Sequence, residues 1–290
     1  MSFSVHHPQS IPDAVTLAQR FGAQGRFLAG GTDLIIQINR KRVSPQHLID
    51  LTGLSELAGI EDDTDEIRIG ALTTHKAIER HPLFQDALIA LPEAARVVGG
   101  HQVRNVGTIG GNIANASPAA DVVAPLLALE AELTLVGPAA TRRLRLDDFL
   151  IGPGRTARGD GELLRHVHLR KLPVRSATAF LKAGRRKAME IAVVCVAARV
   201  TLDESGHCAG ARIALGAVNA TAMRAHEAEQ VLEGAALTDG VLRDAGRLAA
   251  QACDPIDDVR ASARYRRLLV EALVPRALAR CIKRIAERPR

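Results

Sequence analysis

Asn105–Leu129 reads NVGTIGGNIANASPAADVVAPLLAL. A glycine pair with Asn112 and Asn115 fills its first half, a Ser117-Pro118 step divides it, and its second half is almost wholly apolar. Small polar residues and glycine seldom build a core. This backbone must therefore come close to something: its own chain in a tight turn, a phosphate, or a cofactor lying along it. Ser117-Pro118 suits a helix start, because proline at the first helical position forfeits no hydrogen bond. Val122 to Leu129 then reads as the helix that anchors the loop in the core.

A second glycine-centred stretch, FLAGGTDL (Phe27–Leu34), lies upstream. It sits between a short apolar run, GRFLA, and an amphipathic segment, LIIQINRKR, with another strand pattern, QHLIDL, beyond. Strand, glycine turn, helix and strand in that order predict a parallel β–α–β unit with a ligand near the first strand's carboxyl end. Ser10 is placed to cap a helix ending at Gly22. Either glycine pair alone could be a structural turn. Two of them in consecutive units fit a cleft gripping one long, phosphate-bearing ligand, the glycines leaving room for it and the backbone amides binding it.

The middle region, from about Leu54, mixes the strand pattern EIRIGAL and the helical patterns TTHKAIERHPLF and ALPEAARVVGG with three period-two stretches, AELTLVG, RRLRLDDFL and GELLRHVHLRKL. From about Pro173 three strand patterns, ATAFLKAG, IAVVCVAARVTLD and HCAGARIALGAV, precede three helical ones. The helical ones are AMRAHEAEQVLEG, DGVLRDAGRLAAQAC and a long stretch from Ser262, with a kink expected at Pro275. The class is α+β, and the expected units are residues 1–53, 54–173 and 174–290.

Composition narrows the function. The 290 residues are 47% hydrophobic and 24% charged, an ordinary globular balance. Aromatic residues make up 2%, with one tyrosine and no tryptophan, which argues against a nucleic-acid binder that stacks bases. The net charge of +6 comes with short basic clusters at Arg40-Lys41-Arg42, Arg142-Arg143-Arg145, Arg170-Lys171 and Arg185-Arg186-Lys187. These read as solvated faces, or as contacts for an acidic partner or a phosphorylated ligand. Cys195, Cys208, Cys253 and Cys281 are scattered with no C-x-x-C pair, so no metal or cluster site is expected on this chain. Free thiols and the lack of a signal-peptide pattern point to the cytoplasm. No apolar run is long enough to span a membrane.

No G-x-G-x-x-G follows a strand, and the Walker, G-x-S-x-G and H-E-x-x-H patterns are missing. His6, His7, His75, His81, His101, His166 and His168 have no evident partner and read as surface or satisfied core residues. No catalytic residue is expected.

FLAGGTDL, GGHQVRNVGTIGGNIANASPAADVVAPLLAL and FLKAGRRKAMEIAVVCVAA occur in this order and spacing. In these stretches the chain resembles the FAD-binding medium subunits of the molybdenum hydroxylase family, which includes carbon monoxide dehydrogenase and xanthine dehydrogenase. The resemblance covers nearly the whole chain. It implies two FAD-binding subdomains (PCMH-type) followed by a C-terminal α+β domain of antiparallel sheet plus helices. Phe27, Leu28, Ala29, Gly30, Gly31, Thr32, Asp33 and Leu34 match the family's first pyrophosphate loop. Gly99, Gly100 and Val103 match the approach to the second loop. Thr108, Gly110, Gly111, Asn112, Asn115 and Asp121 fall where further FAD contacts are made. Leu164 matches a backbone contact, and Lys182 a basic residue beside the flavin ring.

The resemblance further implies a large molybdopterin subunit and a small subunit with 2Fe–2S clusters as partners, the cofactors of substrate oxidation being theirs. FAD on this chain would pass electrons to an external acceptor. Two departures stand out. No cysteine lies between Asn115 and Leu163, so the cluster-bearing insert of some relatives is missing. The only tyrosine is Tyr265, far from the flavin motifs, which leaves aliphatic side chains such as Ile191 or Val193 to cover the ring. The alternatives are a stand-alone FAD-dependent reductase of related fold, and a scaffold in which the glycine loops are only turns.

Overall fold

A computed structural model of the protein describes residues 3–186 and 188–288, and it carries three main sheets. β1 (Ser4–His6), β2 (Gly25–Leu28) and β3 (His47–Asp50) form a parallel sheet in the order β1-β3-β2. α1 (Ile11–Phe21) starts where the Ser10 hydroxyl accepts the Asp13 amide, and it buries Ile11, Ala14, Val15 and Ala18. Gly22, at a φ of +49°, ends it. α2 (Leu34–Asn39) completes the β–α–β unit. β1 has no apolar alternation, which is why its sequence did not announce it; parallel pairing with β3 makes it a strand.

The second sheet is antiparallel, in the order β4-β5-β10-β6-β7. Its strands are β4 (Ile60–Asp62), β5 (Glu66–Gly70), β6 (Glu132–Val136), β7 (Thr141–Arg145) and β10 (Leu163–Arg170). Between β5 and β6 come α3 (His75–Arg80), α4 (Ala90–Arg96), α5 (His101–Val106), α6 (Ile109–Ala114) and α7 (Val123–Ala128). α8 (Leu146–Phe149) and the ribbon of β8 (Leu150–Gly152) with β9 (Arg155–Thr156) precede β10.

The third sheet, β11 (Ser176–Ala183), β12 (Val194–Leu202), β13 (Cys208–Gly216) and β14 (Met223–Arg224), is antiparallel in chain order. It is apolar on both faces. Along β12, Cys195 and Ala197 join the core built on the second sheet, whereas Val194, Val196, Ala198 and Val200 join a second core with the C-terminal helices. Those helices are α9 (His226–Gln230), α10 (Asp239–Gln251) and α11 (Ala263–Glu287). α7 packs on the other face, and every one of its residues is buried, as expected of a helix apolar all round.

Three details differ from the sequence reading. The helix after Ser117-Pro118 begins only at Val123, because Ser117 closes a turn by accepting the Ala119 amide on its hydroxyl. AMRAHEAEQVLEG is not helical throughout: Met223 and Arg224 complete the sheet against Leu215 and Ala214. α11 is continuous across Pro275. Gly246 of α10 explains how the two helices meet there, since a Cβ at Gly246 would lie 2.6 Å from the Glu271 carbonyl and 2.9 Å from the Pro275 ring.

Glu130, just past α7 and at a φ of +53°, ties the second and third sheets together. Its carboxylate binds Arg199 at 2.7 Å, Arg212 at 3.0 Å and Arg224 at 3.1 Å, one arginine from each of β12, β13 and β14. Burial alone would raise its pKa, but the arginine hydrogen bonds win and hold it at about 2.

Candidate FAD-binding site

The carboxyl end of β2 runs into Ala29–Asp33, and this loop faces α6 across a cleft. Both glycine stretches line it. From the first come Phe27, Ala29, Gly30, Gly31, Thr32, Asp33 and Leu34; from the second come Thr108, Gly110, Gly111, Asn112 and Asn115. Val103 and Leu164 line it as well.

The two loops present different chemistry. Among the described residues, no backbone carbonyl accepts from the amides of Gly30, Gly31, Thr32 or Asp33, so four consecutive donors are free. The second loop spends its amides internally. Ile109 donates to Thr73 O, Gly110 to Ala71 O, Asn112 to Thr108 O, and Gly111 to the Thr108 hydroxyl at 3.0 Å. It offers side chains instead. The buried Asn112 Oδ1 has no partner, and Asn115 accepts from Gln37 of α2 at 3.1 Å, which fixes one loop against the other. An anion is thus met by amides on one wall and by amide and hydroxyl side chains on the other.

The glycines are not there chiefly to leave room for a ligand, as the sequence suggested. A Cβ on Gly30 would overlap the Val106 carbonyl, and one on Gly110 would lie 2.6 Å from the Ala71 Cβ. These two glycines let backbone pack on backbone, which brings the loops together. Gly31, at a φ of +69°, is required by the turn itself.

Leu28, Gly99, Gly100, Asp121 and Lys182 do not line the cleft. The Leu28 carbonyl accepts the Leu51 amide within the first sheet. Lys182 Nζ sits 2.6 Å from Asp121 Oδ2 and donates to the Val97 carbonyl at 3.2 Å, next to Val98, which does line the cleft. Gly99 and Gly100 follow, their carbonyls accepting from Arg104 of α5. Both members of the pair are nearly buried, and Asp121 Oδ1 has no hydrogen-bond partner. Burial pushes the Asp121 carboxyl up to about 6 even with Lys182 beside it. Ile191 is exposed, whereas Val193 is packed in the C-terminal core.

The sequence reading passed over Arg26, Arg158 and His75. The two arginines line the cleft, with Arg158 over the Phe27 ring at 5.7 Å. His75 is neither a surface nor a satisfied residue: it lines the cleft, is 2% exposed, and its Nδ1 has no partner. His168 is satisfied, by Thr134 at 2.7 Å and Glu66 at 3.0 Å. Of the basic clusters, Arg142, Arg143 and Arg145 are all ion-paired within the chain, and Lys187 lies outside the described residues.

The family described as "FAD binding domain in molybdopterin dehydrogenase" matches residues 1–171, and that described as "CO dehydrogenase flavoprotein C-terminal domain" matches residues 179–281. The chain belongs to the FAD-binding subunits of the molybdopterin dehydrogenases. It is 34% identical over 283 residues to the alpha subunit of the 6-hydroxypseudooxynicotine dehydrogenase complex of Paenarthrobacter nicotinovorans, covering 98% of this chain and 95% of that one. With the carbon monoxide dehydrogenase medium chain of Hydrogenophaga pseudoflava the identity is 33%, over 96% and 98% of the two chains. The solved structure of reconstituted CO dehydrogenase from Oligotropha carboxidovorans superposes with a TM-score of 0.94 at 34% identity, over 98% of this chain and 99% of that one. The protein is therefore an oxidoreductase flavoprotein subunit of the molybdenum hydroxylase type, with FAD as its cofactor.

The cleft of this FAD-binding subunit fits that cofactor. The free amides of Gly30 to Asp33 and the orphaned Asn112 Oδ1 are the donors and acceptor that a diphosphate with hydroxylated chains on either side needs. No helix among the described residues is long and apolar enough to cross a membrane, and no group of acidic, histidine or cysteine side chains could hold a metal.

Proposed function

We propose that this subunit relays electrons from the 2Fe–2S clusters of a small partner subunit to an external acceptor, substrate being oxidised on a large molybdopterin subunit. FAD, when bound, supplies the redox chemistry; the protein supplies placement and electrostatics. The observation carrying this reading is the run of free amides at Gly30 to Asp33, facing the side chains of Thr108, Asn112 and Asn115.

In this assignment Phe27 to Leu34 hold the diphosphate, with Gly30, Gly31 and Thr32 nearest. Thr108, Asn112 and Asn115 take the hydroxylated chain, and Val103 and Leu164 supply apolar wall. Gly110 and Gly111 shape the second loop. Leu28 anchors the first loop in its sheet. The segment Val97–Gly100 with Asp121 and Lys182 serves the flavin end, where the Asp121–Lys182 pair sets the local charge. Units at 1–53, 54–173 and 174–290 are supported by the sheet limits: the first sheet ends at Asp50, the second spans Ile60–Arg170 and the third starts at Ser176. A reducing, cytoplasmic setting is supported by four free cysteines, all buried.

The test is the complex purified with its partners. Flavin absorbance bleached by the organic substrate and restored by acceptor supports the relay. A complex that turns over while its flavin stays oxidised would rule it out.

A further inference from the structure

His75 is the first residue of α3, and its amide donates to the Gly107 carbonyl at 3.0 Å, so the helix start is fixed to the second loop. A Cβ built on Gly107 would lie 3.3 Å from His75 Cδ2 and 3.5 Å from Thr32 Oγ1. The imidazole thus stands at the seam where the two glycine loops meet, beside the loop with the free amides. It is 2% exposed, lines the cleft, and leaves Nδ1 without a hydrogen bond. A histidine that only fills space in a core is normally hydrogen-bonded. This one is held by its backbone and left chemically open.

Its surroundings keep the ring neutral. Burial, with Arg104 of α5 adding, pushes its pKa down to about 4. On α3 itself Lys76 and Glu79 pair at 3.1 Å, and Glu79 also faces Arg104 at 3.4 Å and Arg96 at 3.5 Å. The remaining charged groups of the cleft are Arg26, Arg158 and Asp33, whose carboxyl burial pushes up.

We propose that His75 is a proton-coupled positioning residue for the diphosphate of FAD, neutral in the empty cleft and taking up a proton from water as the anion binds. The inference rests on the FAD reading of the cleft. A nearby negative charge raises a histidine pKa by about 1–3 units, and a diphosphate brings two charges. The proton stabilises bound FAD most at low pH and is lost as pH rises through the bound-state pKa. FAD affinity therefore climbs by roughly tenfold between pH 8 and pH 5, on a shift of that size. An anion nearby favours the protonated form of Asp33 as well, whose carboxyl burial already pushes up, so the His75 share is the part that a His75 variant removes.

The test is calorimetric titration of FAD into the flavin-free full chain at pH 6, in two buffers of different ionisation enthalpy. The wild type should take up protons on binding. The variant His75→Gln, which can donate a hydrogen bond but cannot titrate, should lose most of that uptake and flatten the dependence of Kd on pH. FAD binding with no proton uptake in the wild type would overturn the inference and leave the site reading intact. The same pH profile in His75→Gln as in the wild type would overturn it too. A chain that binds no FAD at all would remove the site reading and the inference together.

Discussion

Gly30 and Gly111 look equivalent in the sequence, and the structure separates them. A methyl at residue 30 overlaps the Val106 backbone, which can move only if the two loops part. Gly30→Ala should cost about 1–3 kcal/mol of stability, the range for overpacking, and abolish FAD retention. At residue 111 the methyl crowds the Thr108 hydroxyl, at 2.9 Å, with the Ala29 Cβ at 4.0 Å in ordinary contact, and the Thr108 side chain can turn away. Gly111→Ala should fold, lose about 1 kcal/mol through the disturbed cap, and bind FAD more weakly. Thermal melts with flavin fluorescence distinguish the two. The Asp121–Lys182 pair behaves differently again. Lys182→Met strands a buried carboxylate and should cost about 3–5 kcal/mol. Adding Asp121→Leu should recover most of that loss in urea unfolding, whereas a double variant as unstable as the single one would contradict this account. The cleft-lining residues were legible because glycine, threonine and asparagine in a fixed order record a backbone requirement. His75, Arg26 and Arg158 were not, since a lone histidine or arginine looks the same on a surface and in a cleft.

At the scale of elements, period-two and period-3.6 patterns found most strands and helices. They failed where an element is defined by its neighbour. β1 is a strand because β3 pairs with it, and Met223-Arg224 leave a helical pattern to complete the edge of β13. α6 lies in the stretch that reads as a loop, because Gly110 and Gly111 disfavour helix, yet Thr108 caps it and Gly110 lets it lie against Ala71. The contact between sheets through Glu130 also depends on residues distant in sequence. The Glu130 carboxyl is held at about 2, below its unfolded value near 4.5, so its contribution is full above about pH 4.5 and is lost as pH falls towards 2. Glu130→Gln should lower stability at pH 7 and flatten the loss between pH 5 and pH 2. Acid-titration melts of the variant and the wild type check this.

At the scale of the molecule, the third sheet is the keystone. α7, which continues the second glycine stretch, packs on one of its faces, and α11 and α9 pack on the other, with α10 against α11. The second glycine loop, which lines the cleft, is thereby fixed to the C-terminal core through a wholly buried helix. Disturbing that helix should reach the flavin: Leu126→Ala removes a fully buried side chain about one turn from the loop and should cost about 2–5 kcal/mol, with FAD lost on mild heating before the fold is. The basic surface has a reduced part in this picture, because the Arg142, Arg143 and Arg145 cluster is neutralised within the chain. The most direct measurement is the flavin content of the purified complex, wild type beside Gly30→Ala. Stoichiometric FAD in the wild type and none in the variant is the predicted result. A flavin-free wild-type complex, or a variant that keeps its full complement of FAD, would contradict the placement of the cofactor between these two loops.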